Sequence, residues 1–340
     1  MGTGRIVLSL VVGLSLVACR RAGPSAMPAS GVAAASASAA PSASAPTKPA
    51  ATTRLVDVPN TARGVTAVSS GVYFTIGKTN VTLVRVPLHG GAPQTVVEGG
   101  SSYVVDDANV YWVEGDRIKK RLLGGGPITA VSIGPDRFGP LRANAKALYW
   151  RYYSSSVFSF GVLAKSGASA PIRFSGGNEF FTDFVWDDDG LWFADIHGAT
   201  RADLPGLVTV HHVDAAGLEI TMTYPRPSQI WISMTSDATS LYVADATSIR
   251  AIEKSAFGAS GGQPSIVTDA ADFPVSPIVD GDRLCWAEGQ YAKFPGVYCV
   301  WKTGGLPTGI FDGAVNGFSI LDGTLYALTP DALFAVAMVP

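Results

Sequence analysis

The apolar positions of this chain come in short bursts of strand length that return at a regular interval. The clearest burst is a large apolar residue, then an aromatic, then another apolar or aromatic residue. It reads Val72-Tyr73-Phe74, Val110-Tyr111-Trp112, Leu148-Tyr149-Trp150, Leu191-Trp192-Phe193, Leu241-Tyr242-Val243, Leu284-Cys285-Trp286 and Leu325-Tyr326-Ala327. The middle positions are spaced by 38, 38, 43, 50, 43 and 41 residues. A polar turn precedes most bursts: Ser69-Ser70-Gly71, Asp106-Asp107, Asp187-Asp188-Asp189, Asp237, Asp280-Gly281-Asp282 and Asp322-Gly323. A glycine turn with a nearby proline follows at Gly90 to Pro93, Gly124 to Pro127, Gly261 to Pro264 and Gly304 to Pro307. Asp-Gly and Gly-Gly tolerate positive φ, the requirement of tight hairpins.

Each unit therefore predicts strand, turn, aromatic strand, loop, strand, glycine turn and strand. Four strands in about 40 residues make one propeller blade. Helical repeats of that period need 10 or more residues at helical spacing, and glycine and β-branched residues interrupt every such run here. The prediction is an all-β fold, a single β-propeller of about seven four-stranded blades. The last unit has strands Phe318 to Leu321, Thr324 to Leu328 and Leu333 to Met338, and lacks a fourth. Arg54 to Val58 is a strand with no blade before it. Given to the last unit, it closes the ring and removes both open edges.

The repeats resemble those of the YWTD and TolB-like propeller families and of propeller lipoproteins from environmental bacteria. Trp192-Phe193-Ala194-Asp195 and Tyr242-Val243-Ala244-Asp245 come nearest to the tetrad. Tyr111-Trp112-Val113-Glu114 and Cys285-Trp286-Ala287-Glu288 keep an acid in fourth place. The resemblance covers residues 54–340 as architecture; YWTD propellers have six blades, and no ligand site carries over residue by residue.

The start of the chain obeys another pattern. Arg5 precedes an apolar run of 13 residues, Ile6 to Ala18. That is too short for a bilayer, which takes about 20 residues, and suits a signal-peptide core. Leu16-Val17-Ala18-Cys19 at its end resembles a bacterial lipobox. The resemblance implies cleavage before Cys19 and lipidation of that residue, with Arg20 favouring the outer over the inner membrane. Of the 34 residues from Arg20 to Thr53, 13 are Ala, 6 Ser, 5 Pro and 3 Thr. Such a segment cannot bury enough apolar area to order itself. The expected organisation is a signal peptide over 1–18, a lipidated cysteine and disordered tether over 19–53, and the propeller over 54–340.

Composition narrows the function further. The chain is 47% hydrophobic and 15% charged, and its 25 Lys and Arg against 27 Asp and Glu give no basic surplus for nucleic acid. No nucleophile elbow, phosphate loop or zinc spacing occurs. His211 and His212 are adjacent, so a strand turns them to opposite faces, where they cannot share a metal. Asp187 to Asp189 sits where other units carry structural turns. No catalytic residue, metal or cofactor is expected. Cys285 and Cys299, exported to an oxidising compartment, are expected to form a disulfide, with Trp286 opposite Tyr298 and Leu284 opposite Val300. Loop aromatics suggest a binding face at Tyr152, Tyr153, Tyr291 and Phe294, with Phe138, Phe180 and Phe181 near blade junctions. The function expected is a membrane-anchored, non-catalytic module that binds a protein, peptide or glycan. The alternative is a propeller lactonase, lyase or hydrolase; Arg142 and Asn144 are the polar exceptions among innermost-strand candidates.

Overall fold

The computed structural model describes residues 51–78, 81–133, 138–154, 157–166, 172–175, 181–197, 206–214, 217–226, 232–258, 263–289 and 292–338. Its 28 strands, β1 to β28 in chain order, form seven four-stranded antiparallel sheets. The innermost strands are β2 (Arg63–Val68), β6 (Ser101–Val105), β10 (Phe138–Ala143), β14 (Phe181–Trp186), β18 (Ser233–Ser236), β22 (Pro274–Asp280) and β26 (Gly317–Leu321). The seven aromatic bursts all fall on the second strands. These are β3 (Gly71–Ile76), β7 (Asn109–Glu114), β11 (Ala147–Ser154), β15 (Leu191–His197), β19 (Ser240–Ala244), β23 (Arg283–Glu288) and β27 (Thr324–Leu328). A 3-10 turn at Lys254–Ala256 is the only helical element among the described residues.

The second strand explains why the bursts are continuous rather than alternating. Both of its faces are covered, one by each neighbouring blade. In β7, Val110, Tyr111 and Trp112 are all buried. Val110 and Trp112 join Tyr73 and Leu83 of blade 1, while Tyr111 and Val113 join Leu141 and Leu148 of blade 3. Full burial of one such side chain is worth about 1.5–3 kcal/mol over exposure. The core is thus a ring of seven inter-blade layers.

The ring closes as the repeat pattern requires. β1 (Thr52–Asp57) is the outer strand of the last sheet, antiparallel to β28 (Ala332–Ala337), with Thr52 opposite Val336 and Asp57 opposite Ala332. It begins two residues before the predicted Arg54. Arg54 bridges Asp57 at 2.6 Å and Asp331 at 3.4 Å, and the Val58 N–H donates to the Asp331 carbonyl at 2.9 Å. The Cys285–Cys299 disulfide is present, with Cα atoms 4.0 Å apart, Leu284 opposite Val300 and Trp286 opposite Tyr298. Closing a loop of that length contributes about 3 kcal/mol on the chain-entropy model.

Two faces of the ring follow from the strand order. The connections from blade to blade and the loops between second and third strands lie on one face, the connection face. The turns between first and second strands lie on the other, the hairpin face. β2, β6, β10, β14 and β22 each carry a register shift in their connection-face half. Gly64, Ser102 and Ser276 sit at three of these bulges with φ of 55°, 49° and 52°. The bulge turns a polar group sideways, and the Ser102 hydroxyl accepts from the Leu141 N–H of the next blade at 2.6 Å.

Candidate functional site

Most blade junctions are stitched by side chains of known role. Ser319 accepts from the Ala67 N–H at 3.0 Å across blades 7 and 1, and Asp183 from the Met234 N–H at 2.8 Å across blades 4 and 5. Toward the hairpin face, an aspartate five residues before the central aromatic caps its own turn and takes a lysine from the following blade. Lys165 meets Asp106 at 2.8 Å, Lys254 meets Asp187 at 2.8 Å, and Lys302 meets Asp237 at 2.9 Å. The aromatic joins in: Tyr242 donates to Asp237 at 3.1 Å, and the Trp192 Nε1–H to Asp187 at 3.1 Å. Burial pushes the Asp237 carboxyl up. The Lys302 ammonium and the Thr239 and Ser240 amides outweigh it and hold the group well below the usual carboxylate range. The same cage pushes Tyr242 up to about 12, chiefly by burial and then by the Asp237 charge.

The tetrad acids have an equivalent use. Glu114 pairs with Lys119 at 2.5 Å, Asp195 with His211 at 3.2 Å, and Asp245 lies 3.6 Å from Arg250. Each cation stands on the third strand of the same blade. Glu288 instead accepts the Asp272 N–H at 3.1 Å, and burial pushes its carboxyl up. His211 and His212 do take opposite faces: His211 stacks on Phe193 between Asp195 and Glu219, while His212 stacks on Trp192.

The large opening lies elsewhere, where blades 1, 2 and 3 meet the central channel. A cavity of about 950 Å³ runs along β2, β6 and β10. Its walls are mostly apolar, with Val65, Val68, Phe74, Leu83, Val104 and Leu141. Arg63, Gly64, Gly77, Val81 and Ser101 edge it toward the connection face; Asp106, Asp107, Asn144 and Lys165 edge it toward the hairpin face. β2 lies against β26 far more extensively than against β6, and the cavity lies on the β6 side. No hydrogen bond among the described residues joins β2 to β6 directly. The ionisable groups deeper inside are already engaged. Arg142 pairs with Asp183 at 2.5 Å and stacks on Phe184 at 4.9 Å, Lys165 holds Asp106, and Asn144 donates to the Trp186 carbonyl at 2.9 Å. The arrangement suits retention of a partly apolar ligand, with Asp106, Lys165 and Arg142 of its lining engaged in ion pairs. Among the described residues no group of three or more His, Cys, Asp or Glu is placed to hold a metal.

The four aromatics proposed from sequence separate. Tyr152 is 7% exposed and packs with Trp150, Leu148 and Tyr111. This corrects its assignment to a binding loop: β11 extends to Ser154, and period-two alternation puts Tyr152 on the core face with Leu148 and Trp150. Tyr153 lies in β11, but its side chain, like those of Phe138 and Phe181, is outside the described residues, as are Tyr291, Phe180 and Cys19. Phe294 is 64% exposed, with the Lys293 ammonium 5.1 Å from its ring. Strand order puts Tyr153 and Phe294 on the same face but three blades apart.

The class defined by this geometry is a seven-bladed propeller closed by β1, with a cavity along the inner strands of blades 1 to 3. No family model matches the chain, and no curated protein matches its sequence. Among solved structures, the chain is similar to the β-propeller domain of the Trilobed protease from Pyrococcus furiosus, at TM-score 0.62 and 12% identity, over 81% of this chain and 94% of that one. It is also similar to an oligogalacturonate lyase in complex with manganese, at TM-score 0.57 and 13% identity, over 85% and 93%. BamB from Moraxella catarrhalis follows at TM-score 0.50 and 14% identity, over 86% and 99%. At these identities the likeness is one of fold alone. The Pyrococcus domain is described as having an open velcro topology, whereas here β1 pairs with β28.

Proposed function

We propose that this protein is an envelope lipoprotein, anchored through Cys19 and carried on the tether that precedes β1, whose propeller binds a macromolecular ligand without transforming it. The observation that carries the binding reading is the cavity between β2, β6 and β10. It is large enough for a short segment of polymer, lined by apolar groups, and its inner charges are spent on ion pairs. The lipobox and the Ala/Ser/Pro composition support the anchor, and fold likeness to BamB is consistent with an envelope scaffold. Among the described residues no helix is long and apolar enough to cross a membrane.

Both halves are testable in one host. Cys19→Ser is expected to shift the protein from membrane to soluble fractions, and full membrane retention would refute the anchor. A photoreactive amino acid at position 101, beside the cavity, is expected to give discrete adducts in the native envelope. The same group at position 306, on the outer rim, is expected to give none. Equal adducts from both positions would remove the cavity as the binding site.

A further inference from the structure

We infer that the ligand of the cavity between blades 1 and 3 is an acidic peptide segment held in extended conformation; this rests on the cavity being the binding site. The first observation is that the ring is electrically two-sided. Residues 58–180, which build blades 1 to 3, carry 13 Lys and Arg against 7 Asp and Glu, a net +6. Residues 181–340 carry 7 against 19, a net −12. The near-zero total of the chain conceals this split. The cavity opens inside the positive arc.

The second observation is how the arginines of that arc are satisfied. Arg63 donates to the carbonyls of Asn60 and Ala62 at 2.9 and 2.7 Å. Arg85 donates to the Ser70 carbonyl and Arg121 to the Val96 carbonyl. A carbonyl fixes a guanidinium without neutralising it, and of these three charges Arg63 is the one that lines the cavity. Arg63 edges the cavity at the connection face, and exposed Lys78 follows Gly77 at the same mouth. Neither has a carboxylate partner among the described residues. At the hairpin face Lys165 offsets Asp106 while Asp107 stays exposed, so the basic mouth is the one at Arg63.

The third observation favours peptide over other anions. β2 and β6 each pair with a further strand along one edge only. On the other edge of β2 the Gly64 and Ala67 N–H groups already donate to blade 7, to the Asn316 carbonyl at 3.3 Å and the Ser319 hydroxyl at 3.0 Å, which leaves the inner edge of β6 for an added chain. Such an edge offers backbone donors and acceptors to an added extended chain, and alternate side chains of that chain would reach the apolar wall of Val65, Val104 and Leu141. A carboxylated glycan matches the charge but gains little from that wall.

Labelled nonapeptides of alternating Glu and Val, Lys and Val, and Ser and Val, together with oligogalacturonate, separate the readings by fluorescence anisotropy and competition. The acidic peptide is expected to bind at least tenfold more tightly than the basic one, and to weaken severalfold from 50 to 300 mM salt as screening shortens. Arg63→Glu with Lys78→Glu, both at exposed positions, is expected to weaken the acidic peptide at least tenfold and to strengthen the basic one. Ser101→Trp, which fills the mouth without changing charge, is expected to abolish binding of every peptide. Should the basic or neutral peptide bind as well as the acidic one and still be blocked by Ser101→Trp, the acidic class is overturned while the cavity stands. Stronger competition by oligogalacturonate than by the acidic peptide overturns the peptide assignment. No binding by any probe at millimolar concentration, or acidic-peptide binding indifferent to Ser101→Trp, overturns the inference and the cavity reading with it.

Discussion

The junctions between blades 5 and 6 and between blades 1 and 2 are built from the same cassette and finished differently. At the first, Lys302 follows the third strand of blade 6 and enters the cage of Asp237, Tyr242 and the Thr239 and Ser240 amides. At the second, Leu123 of blade 2 occupies the corresponding place and packs with Val68 and Tyr73 of blade 1. The hairpin-face turns there are tied by Ser69, whose N–H and hydroxyl donate to Asp107 at 3.2 and 3.0 Å. The inner strands of the first pair of blades come together, and those of the second part to leave the cavity. A repeated fold can therefore keep its outer packing everywhere while the contact between inner strands varies from junction to junction. The looser contact of blades 1 and 2 is offset by the closed ring around it.

That last claim gives the largest expected effect. Blade 7 meets blade 1 through Ser319 and through Asn316, which donates from its side chain to the Ala62 carbonyl at 3.0 Å, and β1 completes its sheet. Deleting residues 52–57 strips β28 of its outer partner and, by removing Leu55 and Val56, exposes Leu333 and Ala335 of the same cluster. The loss is expected to be several kcal/mol, a large part of a typical domain's stability. Deleting residues 20–47 is expected to leave the melting temperature unchanged. Equal melting of the two truncations would mean that the looser junction of blades 1 and 2 is not balanced by closure at β1.

A smaller effect compares the latched seam with its own natural variant. Blade 3 carries Asn144 where the other latches carry aspartate, and its Oδ1 still accepts the turn amides of Lys146 and Ala147. Asp237→Asn therefore keeps the cap on Oδ1 and replaces Oδ2, which accepts from Lys302 and Tyr242, by an uncharged NH2 group. The expected cost at pH 7 is about 1–2 kcal/mol. The folded Asp237 carboxyl lies below its unfolded value near 3.8, so the stability it lends is complete above that pH and lost as pH falls toward the folded value. Melting curves of wild type and variant should differ fully down to about pH 4 and converge progressively as pH falls further toward the folded value. A difference that stays constant below that pH would assign the cost to packing.

Much of this was legible in the sequence because propeller blades repeat. Bursts that are continuous on the second strand and turn residues at fixed offsets mark elements whose environment recurs seven times, so register and closure could be read without contacts. The Cys285–Cys299 register followed from cross-strand pairing alone. The cavity was not legible, because it depends on the spacing of β2 and β6, which no residue type signals; Arg63 and Ser101 look like ordinary strand ends. Tyr152 misled because Tyr152 and Tyr153 follow a burst, where a loop was expected, and β11 simply runs longer. The lysine latches did leave a trace: Lys165, Lys254 and Lys302 each stand just past a third strand, one turn before glycine. A lysine there is an ordinary surface residue until the aspartate of the preceding blade is placed beside it.

The smallest effect distinguishes the cations that serve the tetrad acids. Lys119 and Arg250 face Glu114 and Asp245 in blades 2 and 5, whereas in blade 4 the corresponding place is taken by the imidazole of His211, a side chain that switches charge near neutral pH. Burial lowers the His211 pKa, and hydrogen bonds to Asp195 at 3.2 Å and Glu219 at 2.6 Å outweigh it, leaving the imidazole above its ordinary value. A raised folded value means that the stabilisation is complete below the unfolded value of about 6.5 and disappears as pH rises through the folded one. Blade 4 should then loosen slightly with rising pH while blades 2 and 5 do not. His211→Gln retains a hydrogen-bonding side chain over Phe193 and removes the titration. The stability of wild type relative to this variant is expected to fall by under about 1 kcal/mol between pH 6 and pH 8, since Glu219 is half exposed and screened. Paired thermal melts in half-unit pH steps measure it. A difference that stays flat, or that grows with pH, would show that the imidazole between Asp195 and Glu219 is not held as a cation, and blade 4 would then rest on the Phe193 stack alone.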